Sequence, residues 1–287
     1  MKKAIAIALG IAFLCTAFTS CGGGFSKENK ITVISRESGS GTRGAFIELF
    51  GVEQKDTTGN KVDRTIATAD INADTGIVLT NVASNKNSIG YISLGALNNT
   101  VKALKIDGAS ATVANIKNGT YKIARPFNIA TKGDLSAVAD DFIKFILSTE
   151  GQAVVSAKGY IALDNAAAYN GVKPSGKVTI SGSSSVTPLM EKLKEAYLKI
   201  NTNATIEIQQ SDSSSGMIDA SEGISDIGMA SRELKDSELA NGLAPTEICM
   251  DGIAVIVNNA NTIEELTKDQ VMKIYIGEAV KWADVID

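Results

Sequence analysis

Four stretches of this chain crowd small hydrogen-bond donors together: "SRESGSGTR" at 35–43, "ISGSSSVTP" at 180–188, "QQSDSSSGM" at 209–217 and "MASRELKDSE" at 229–238. Glycine and serine let a backbone approach a small ligand closely, and each Ser or Thr adds a hydroxyl donor. Where such a turn opens a helix, the first amides are unpaired and the helix end is partly positive, which attracts anions. Arg36 adds a rigid, forked, permanently charged donor set that suits a tetrahedral oxyanion. A single turn of this kind is ordinarily an N-cap or a loop. Several of them at strand ends in an α/β fold mark a ligand crevice.

Other chemistries are excluded by what is missing. The chain has no histidine, so Ser-His and Cys-His nucleophile pairs are ruled out and the commonest zinc and iron ligand is absent. No G-x-x-x-x-G-K-[ST] occurs, since Gly176-Lys177 is followed by Val178, and no loop shows calcium-type Asp/Asn alternation. We expect no metal and no cofactor, although carboxylate-only magnesium or calcium sites survive this reasoning.

The turns need elements to hold them. Strands are predicted at Ile31–Ser35, Ile89–Ser93, Tyr121–Ala130, Lys177–Ser181, Ala204–Gln209, Asp226–Ala230 and Ile253–Asn258. Several are unbroken Val/Ile/Ala runs, as expected of strands covered on both faces. Between them "TPLMEKLKEAYLKI" sets Leu189, Leu193, Tyr197 and Ile200 on one helix face, with Thr187 as N-cap and Pro188 first in the helix. "TKDQVMKIY" opens with Thr267 and Gln270 in capping-box spacing, and "LSAVADDFIKFILSTEG" reads as a third helix. Strands alternating with helices argue for parallel-type sheets. "TVIS" and "VTIS" before the first two turns are a faint repeat, suggesting two similar halves.

Composition fits an α/β protein of one large or two medium domains: 287 residues, 44% hydrophobic, 21% charged and 5% aromatic. Residues 1–20 form a basic start, a short apolar run and small residues, the pattern of a secretory signal. The run is short for a transmembrane span. Cys21 stands where a bacterial lipobox places its lipidated cysteine, with Phe18 in the less usual position, and residues 21–30 would tether the domain to the membrane. Without Lys2 and Lys3 the balance is 26 basic against 32 acidic residues, or −6; nothing suggests a basic face for nucleic acid. Of the three cysteines, Cys15 falls in the leader and Cys21 at the lipid site, leaving Cys249 as core filler.

"SRESGSGTR", "ASNKNSIGYISLG", "VKALKIDG", "NGTYKIARPF", "TISGSSSVTPLMEKL", "IGMASRELKDSE" and "DGIAVIVN" resemble the periplasmic-type phosphate-binding proteins, the solute receptors of phosphate ABC transporters. The resemblance implies a type II periplasmic-binding-protein fold: two α/β lobes, a hinge and an interlobe ligand cleft. It also implies a monomeric, extracytoplasmic, non-enzymatic receptor that passes inorganic phosphate to a membrane permease. The segment order departs from the family, where "TISGSSSVTP" precedes "RESGSGTR"; the chain resembles a circular permutant. A split lobe of 31–96 plus 257–287 and a continuous lobe of 97–256 are then expected, with Ile31 close to Val285.

Carried over residue by residue, the ligands are Arg36, Ser40, Gly41 and Thr42; Ser185 and the amide of Val186; Ser213 and Ser214; and Ser231. Arg232 is counted with them, although it stands where some members have Asp. An acceptor carboxylate would select protonated phosphate over sulfate. Asp251 is the candidate, with Asp212 and Glu37 as runners-up and an Arg232–Asp251 pair as a further option. Arg43 is expected to cap or pair at a helix start, Trp282 to pack, Tyr91 and Tyr160 to lie in core or hinge, and Arg125 near the hinge stiffened by Pro126. The alternatives are sulfate, arsenate or molybdate on the same fold, a serine-nucleophile phosphohydrolase, or a surface lipoprotein with an adhesive role.

Overall fold

The computed structural model describes residues 24–286; the leader and Cys21 lie outside the described residues. In chain order the elements are β1 (Thr32–Arg36), α1 (Gly41–Phe50), β2 (Glu53–Lys55), β3 (Lys61–Asp63), β4 (Asp70–Asn72), α2 (Thr75–Ser84), β5 (Ser88–Ser93), β6 (Val101–Ala103), β7 (Lys105–Ile106), α3 (Val113–Lys117) and β8 (Ala124–Thr131). They continue with α4 (Ala137–Ile146), α5 (Thr149–Ala157), β9 (Gly176–Ser183), α6 (Thr187–Ile200), β10 (Ala204–Ser211), α7 (Ser213–Glu222), β11 (Ile227–Ala230), α8 (Asp236–Ala240), β12 (Ala244–Asn258), β13 (Glu265–Leu266) and α9 (Lys268–Ile276).

A continuous ladder runs β10-β9-β11-β8-β12-β5-β1-β4, with β6 also on β12. It forms two lobes because β12 is 15 residues long and changes partner midway. Its Ala244–Gly252 half pairs antiparallel with β8, and Ile253–Val257 pairs antiparallel with β5. The lobes share one plan. In the first, β1 lies parallel to β4 and β5; in the second, β9 lies parallel to β10 and β11. The faint "TVIS/VTIS" repeat therefore marks corresponding strands, β1 and β9.

Each lobe has its own core. Val33, Phe46, Val82, Tyr91, Tyr275 and Trp282 belong to the first, and Phe127, Phe142, Ile180, Leu189, Leu193 and Tyr197 to the second. A smaller cluster around Met217 and Ala220 seats α7 on the second lobe. The expected division at residues 96/97 and 256/257 needs correction. Val101, Leu104, Ile106, Tyr121 and Ile123 pack in the first core, as do Ile253–Ile256. The reason is pairing: β6 lies on the first-lobe half of β12, and the Tyr121 hydroxyl donates to the Ile253 carbonyl at 2.6 Å. The chain crosses between lobes at 123/124 and 252/253.

Local expectations hold with adjustments. The Thr267/Gln270 capping box forms. The helix expected over "LSAVADDFIKFILSTEG" is two helices, α4 and α5, because the Ser148 hydroxyl accepts from the Gly151 amide and starts a new one. Val186, not Thr187, caps α6; the Thr187 hydroxyl turns back to the Ser183 carbonyl at 3.0 Å. The strand expected at Ile253–Asn258 begins at Ala244: Glu247 and Asp251 break the apolar run, but pairing with β8 continues through both, with a shift of register between Glu247 and Cys249.

From Phe25 on the chain is attached rather than free, which corrects the described part of the expected 21–30 tether; residues 21–23 lie outside the described residues. Phe25 stacks edge-on to Trp282 at 5.9 Å, the Lys27 carbonyl accepts from the Ala283 amide, and the Ile31 amide donates to the Val280 carbonyl at 2.9 Å. The two ends of the fold thus run side by side.

The lobes meet near the crossing at Gly95, where an added Cβ would overlap the Tyr160 ring. We expect Gly95→Ala to cost roughly 1–3 kcal/mol from overpacking. Thermal melts should show Gly95→Ala/Tyr160→Leu recovering part of that loss; no recovery would place the strain elsewhere.

Candidate functional site

The turns noted in the sequence connect strands to helices whose N-termini meet in one seam between the lobes. From the first lobe come α1, capped by the Ser40 hydroxyl accepting from the Arg43 amide, and α2, capped by Asp74. From the second come α6 and α7, the latter capped by Asp212. The Thr42 hydroxyl on α1 lies 2.7 Å from that of Ser185 before α6, and the Thr75 hydroxyl on α2 is 3.3 Å from the same Ser185. The Ser183 hydroxyl donates to Ser231 at 3.0 Å, and the Ser231 amide donates to the Ser213 hydroxyl at 3.1 Å. Gly41 closes the group. A Cβ there would collide with the Ser213 hydroxyl and come within 2.7 Å of that of Ser231; only glycine lets α1 approach so closely.

The first turns of α1, α2, α6 and α7 hold no acidic residue, whereas α4, α5, α8 and α9 carry Asp140, Glu150, Asp236 with Glu238, and Asp269 there; α3 has none either. Acids in the first turn compensate the dipoles of α4, α5, α8 and α9; at the seam the acids are instead the caps Asp74 and Asp212 and, on Arg36, Glu37.

Arg36 ends β1 and is 2% exposed. Its Nη2 donates to the Ser184 hydroxyl of the opposite lobe at 3.0 Å and Nη1 to Thr75 at 3.3 Å. Nε and Nη2 grip the Glu37 carboxylate at 2.8 and 2.6 Å, while the Asn72 and Ala73 carbonyls accept the rest. The fork is locked in place with one edge toward the hydroxyls. Behind it the Tyr91 hydroxyl accepts from the Arg36 amide at 3.2 Å and pairs with the Ser35 hydroxyl at 2.8 Å. Arg43 pairs with Asp63 and donates to the Arg36 carbonyl.

Arg36, Ser40, Gly41, Thr42, Ser185, Ser213 and Ser231 are brought together, and each is buried. Four expectations are corrected. The Val186 amide is engaged by the Ser183 carbonyl at 3.0 Å, a consequence of the turn that starts α6. The Ser214 hydroxyl faces away, accepting from Arg232 and Lys235, though its amide crosses the seam to the Gly39 carbonyl at 3.2 Å. Arg232 is clamped by Glu238 through both oxygens, at 2.7 and 2.8 Å, and forms no pair with Asp251. Those bonds, helped by the Lys235 amide, overcome burial and hold the Glu238 carboxyl below its usual range.

Asp251 lies on the hinge, not among the turns. It faces Arg125 across the β8–β12 register, 3.2 Å away, with the Gly95 amide at 3.5 Å. Complete burial pushes it up to about 6, more than Arg125 pulls it down, and burial likewise lowers Arg125. The runners-up are closer to the seam. Glu37 sits on Arg36, and a Cβ on Gly39 would overlap the Asp212 carboxylate. Hydrogen bonds from the Ser215 hydroxyl and amide outweigh burial and keep Asp212 low.

Sequence reasoning missed Thr75, Ser183 and Ser184. The two serines lie in a turn already singled out. Thr75 follows the three-residue strand β4, and "DIN-AD-TGIVLTNV" repeats the strand–turn–helix grammar with an aspartate as cap. Among the described residues no group of His, Cys, Asp and Glu could hold a metal. No described helix is long and apolar enough to cross a membrane.

The model of the PBP superfamily domain matches residues 19–150 and 167–287. The phosphate-binding protein PstS 2 of Streptococcus agalactiae is 54% identical over 261 residues, 91% of this chain and 89% of its own length. Its namesake in Streptococcus pneumoniae is 45% identical over 258 residues, 90% of this chain and 88% of that one. A crystal structure of a phosphate-binding protein of a phosphate ABC transporter from Streptococcus pneumoniae superposes with a TM-score of 0.71 at 44% identity, covering 90% of this chain and 100% of that one. The chain belongs to the PstS family of the PBP superfamily. The two-lobed type II fold expected from its motifs is the fold it has.

The hinge pair sets a pH signature. Asp251 has a folded value near 6 against 3.8 for the ordinary carboxyl. Between about pH 4 and 6 the folded state therefore holds a proton that the unfolded state has released, and stability falls as pH rises through that window. Two pH units correspond to about 3 kcal/mol. Urea titrations at pH 4, 5 and 6 should show the wild type losing stability relative to Asp251→Asn as pH rises, since carboxylates held low, such as Glu238 and Asp212, act alike in both; equal slopes would refute it.

Proposed function

We propose that the protein is an extracytoplasmic receptor that closes its lobes on inorganic phosphate and delivers it to the permease of an ABC transporter. One observation carries this reading: four helix N-termini, two from each lobe, meet at a buried arginine and a ring of hydroxyls. The site is Arg36, Ser40, Gly41, Thr42, Thr75, Ser184, Ser185, Ser213 and Ser231. Its donors are neutral apart from Arg36, so an anion is held by dipoles and hydroxyls in a protein of net negative charge. Charge-assisted hydrogen bonds of roughly 1.5–3 kcal/mol each are ample, after ordering costs, for micromolar binding at ~8 kcal/mol. Closing then presents a different outer surface to the permease.

Relatives named as binding proteins of transporters support a non-enzymatic role. The PstS protein of Staphylococcus haemolyticus matches over only 117 residues, 38% of this chain, whereas the streptococcal relatives match over 90% of it or more. That contrast, with the adjacent chain ends, supports an exchanged segment order shared with the streptococcal proteins. Cys21 is the proposed lipid site that keeps the receptor at the membrane.

For the acceptor that tells phosphate from sulfate we propose Glu37, whose carboxylate is paired with Arg36 and so lies beside the same anion. Calorimetric titration of the leader-free protein with phosphate, repeated in excess sulfate, tests the main reading: binding heat unaffected by sulfate is expected, and no heat with phosphate would overturn it. Arg36→Gln should weaken phosphate by about 10- to 100-fold, one charge-assisted contact. Glu37→Gln should narrow the phosphate-to-sulfate affinity ratio and Asp212→Asn should not; the reverse outcome would move the acceptor to Asp212.

A further inference from the structure

Phe25–Ile31 does not hang from the fold but is fastened along Val280–Ala283. Phe25 packs on Trp282 at 5.9 Å, Lys30 bridges to Lys281, the Ala283 amide donates to the Lys27 carbonyl, and the Ile31 amide donates to the Val280 carbonyl. Phe25 and Ile31 both pack against the first-lobe core. Between Cys21 and Phe25 stand only Gly22, Gly23 and Gly24. Whatever conformation they take, four Cα steps span at most about 14 Å.

We propose that the first lobe lies directly against the lipid headgroups, on the face formed by Phe25–Lys30 and Val280–Asp284. The proposal rests on Cys21 being the lipid site. A lipid on Cys21 places Phe25, and Trp282 behind it, within about 20 Å of the bilayer surface at full stretch. The face carries both signs, with Lys281 paired to Glu28 at 3.3 Å and Asp284 accepting from the Val280 and Lys281 amides. It therefore has no strong charge preference for anionic lipid, and the short tether alone holds it there. The first lobe is then the stationary one. The second lobe, whose chain connections to the first are the two crossings, then makes the closing movement.

Trp282 is the only tryptophan, so the protein carries its own reporter. The full-length lipidated protein is reconstituted into vesicles containing a dansyl-headgroup lipid, and energy transfer from Trp282 is read after vesicle flotation. Transfer is expected in the wild type. It should drop when a 20-residue Gly/Ser spacer, of r.m.s. length about 25 Å, is inserted between Gly23 and Gly24. Transfer should be lost in Cys21→Ser and should be insensitive to salt. Wild-type protein that floats with vesicles without transfer, or a spacer variant with undiminished transfer, overturns the proposal while leaving the lipid site standing. Wild-type protein that fails to float removes the lipid site itself.

Discussion

Helix N-termini repel one another, and this protein brings four of them together. Partial positive ends facing across a seam that excludes water cost free energy unless negative charge lies between them. Elsewhere in the molecule the helices α4, α5, α8 and α9 relieve the same problem with an acid in the first turn. At the seam no acid stands in the first turns of α1, α2, α6 and α7; Asp74 and Asp212 cap α2 and α7, α1 and α6 have an acid at neither cap nor first turn, and the charge of Arg36 is shared with Glu37. On the function proposed, an oxyanion brings the negative charge that α1, α6 and Arg36 face, and closure of the lobes and capture of the anion are one event.

The site must also be stiff, since donors that have to be gathered on binding lose affinity to ordering. Arg36 is held by Glu37, by two carbonyls of the β4–α2 connection and by Thr75 before any ligand arrives. Beneath it Tyr91 stacks on Phe46 at 3.9 Å and ties β1 to the first core. Another buried cation, Arg125, is kept off the anion by Asp251 on the neighbouring strand. The ion pair thus belongs to the hinge, where it joins β8 to β12 within two residues of both crossings.

The equivalence of the lobes explains how one seam collects so many donors. Strand-to-helix turns at β1–α1 and β4–α2 correspond to β9–α6 and β10–α7, and in each lobe the first strand of the set lies between the other two parallel strands. Two halves of one strand–turn–helix plan, placed face to face, make a seam of donors that neither half has alone.

Much of this was legible in the residues themselves. Strand, small-residue turn and helix follow one another within ten or so positions, and local propensity and capping decide them; hence "RESGSGT", "GSSSV" and "SDSSSG" pointed to the seam, and Thr267 with Gln270 to a helix start. What escaped was everything set by pairing at long range. Asp251 is the candidate acceptor by sequence because Arg232 stands where some members have Asp, but register with Arg125 on β8 makes it part of the hinge. Arg232 was taken by Glu238 and Ser214 by Arg232, contacts made by folding rather than by spacing. Thr75 was hidden because β4 is too short to show a period, and residues 97–123 changed lobe because β6 found its partner on β12. Short-range chemistry is written in the order of residues; which carboxylate meets which arginine is decided only when strands distant in sequence come to lie side by side.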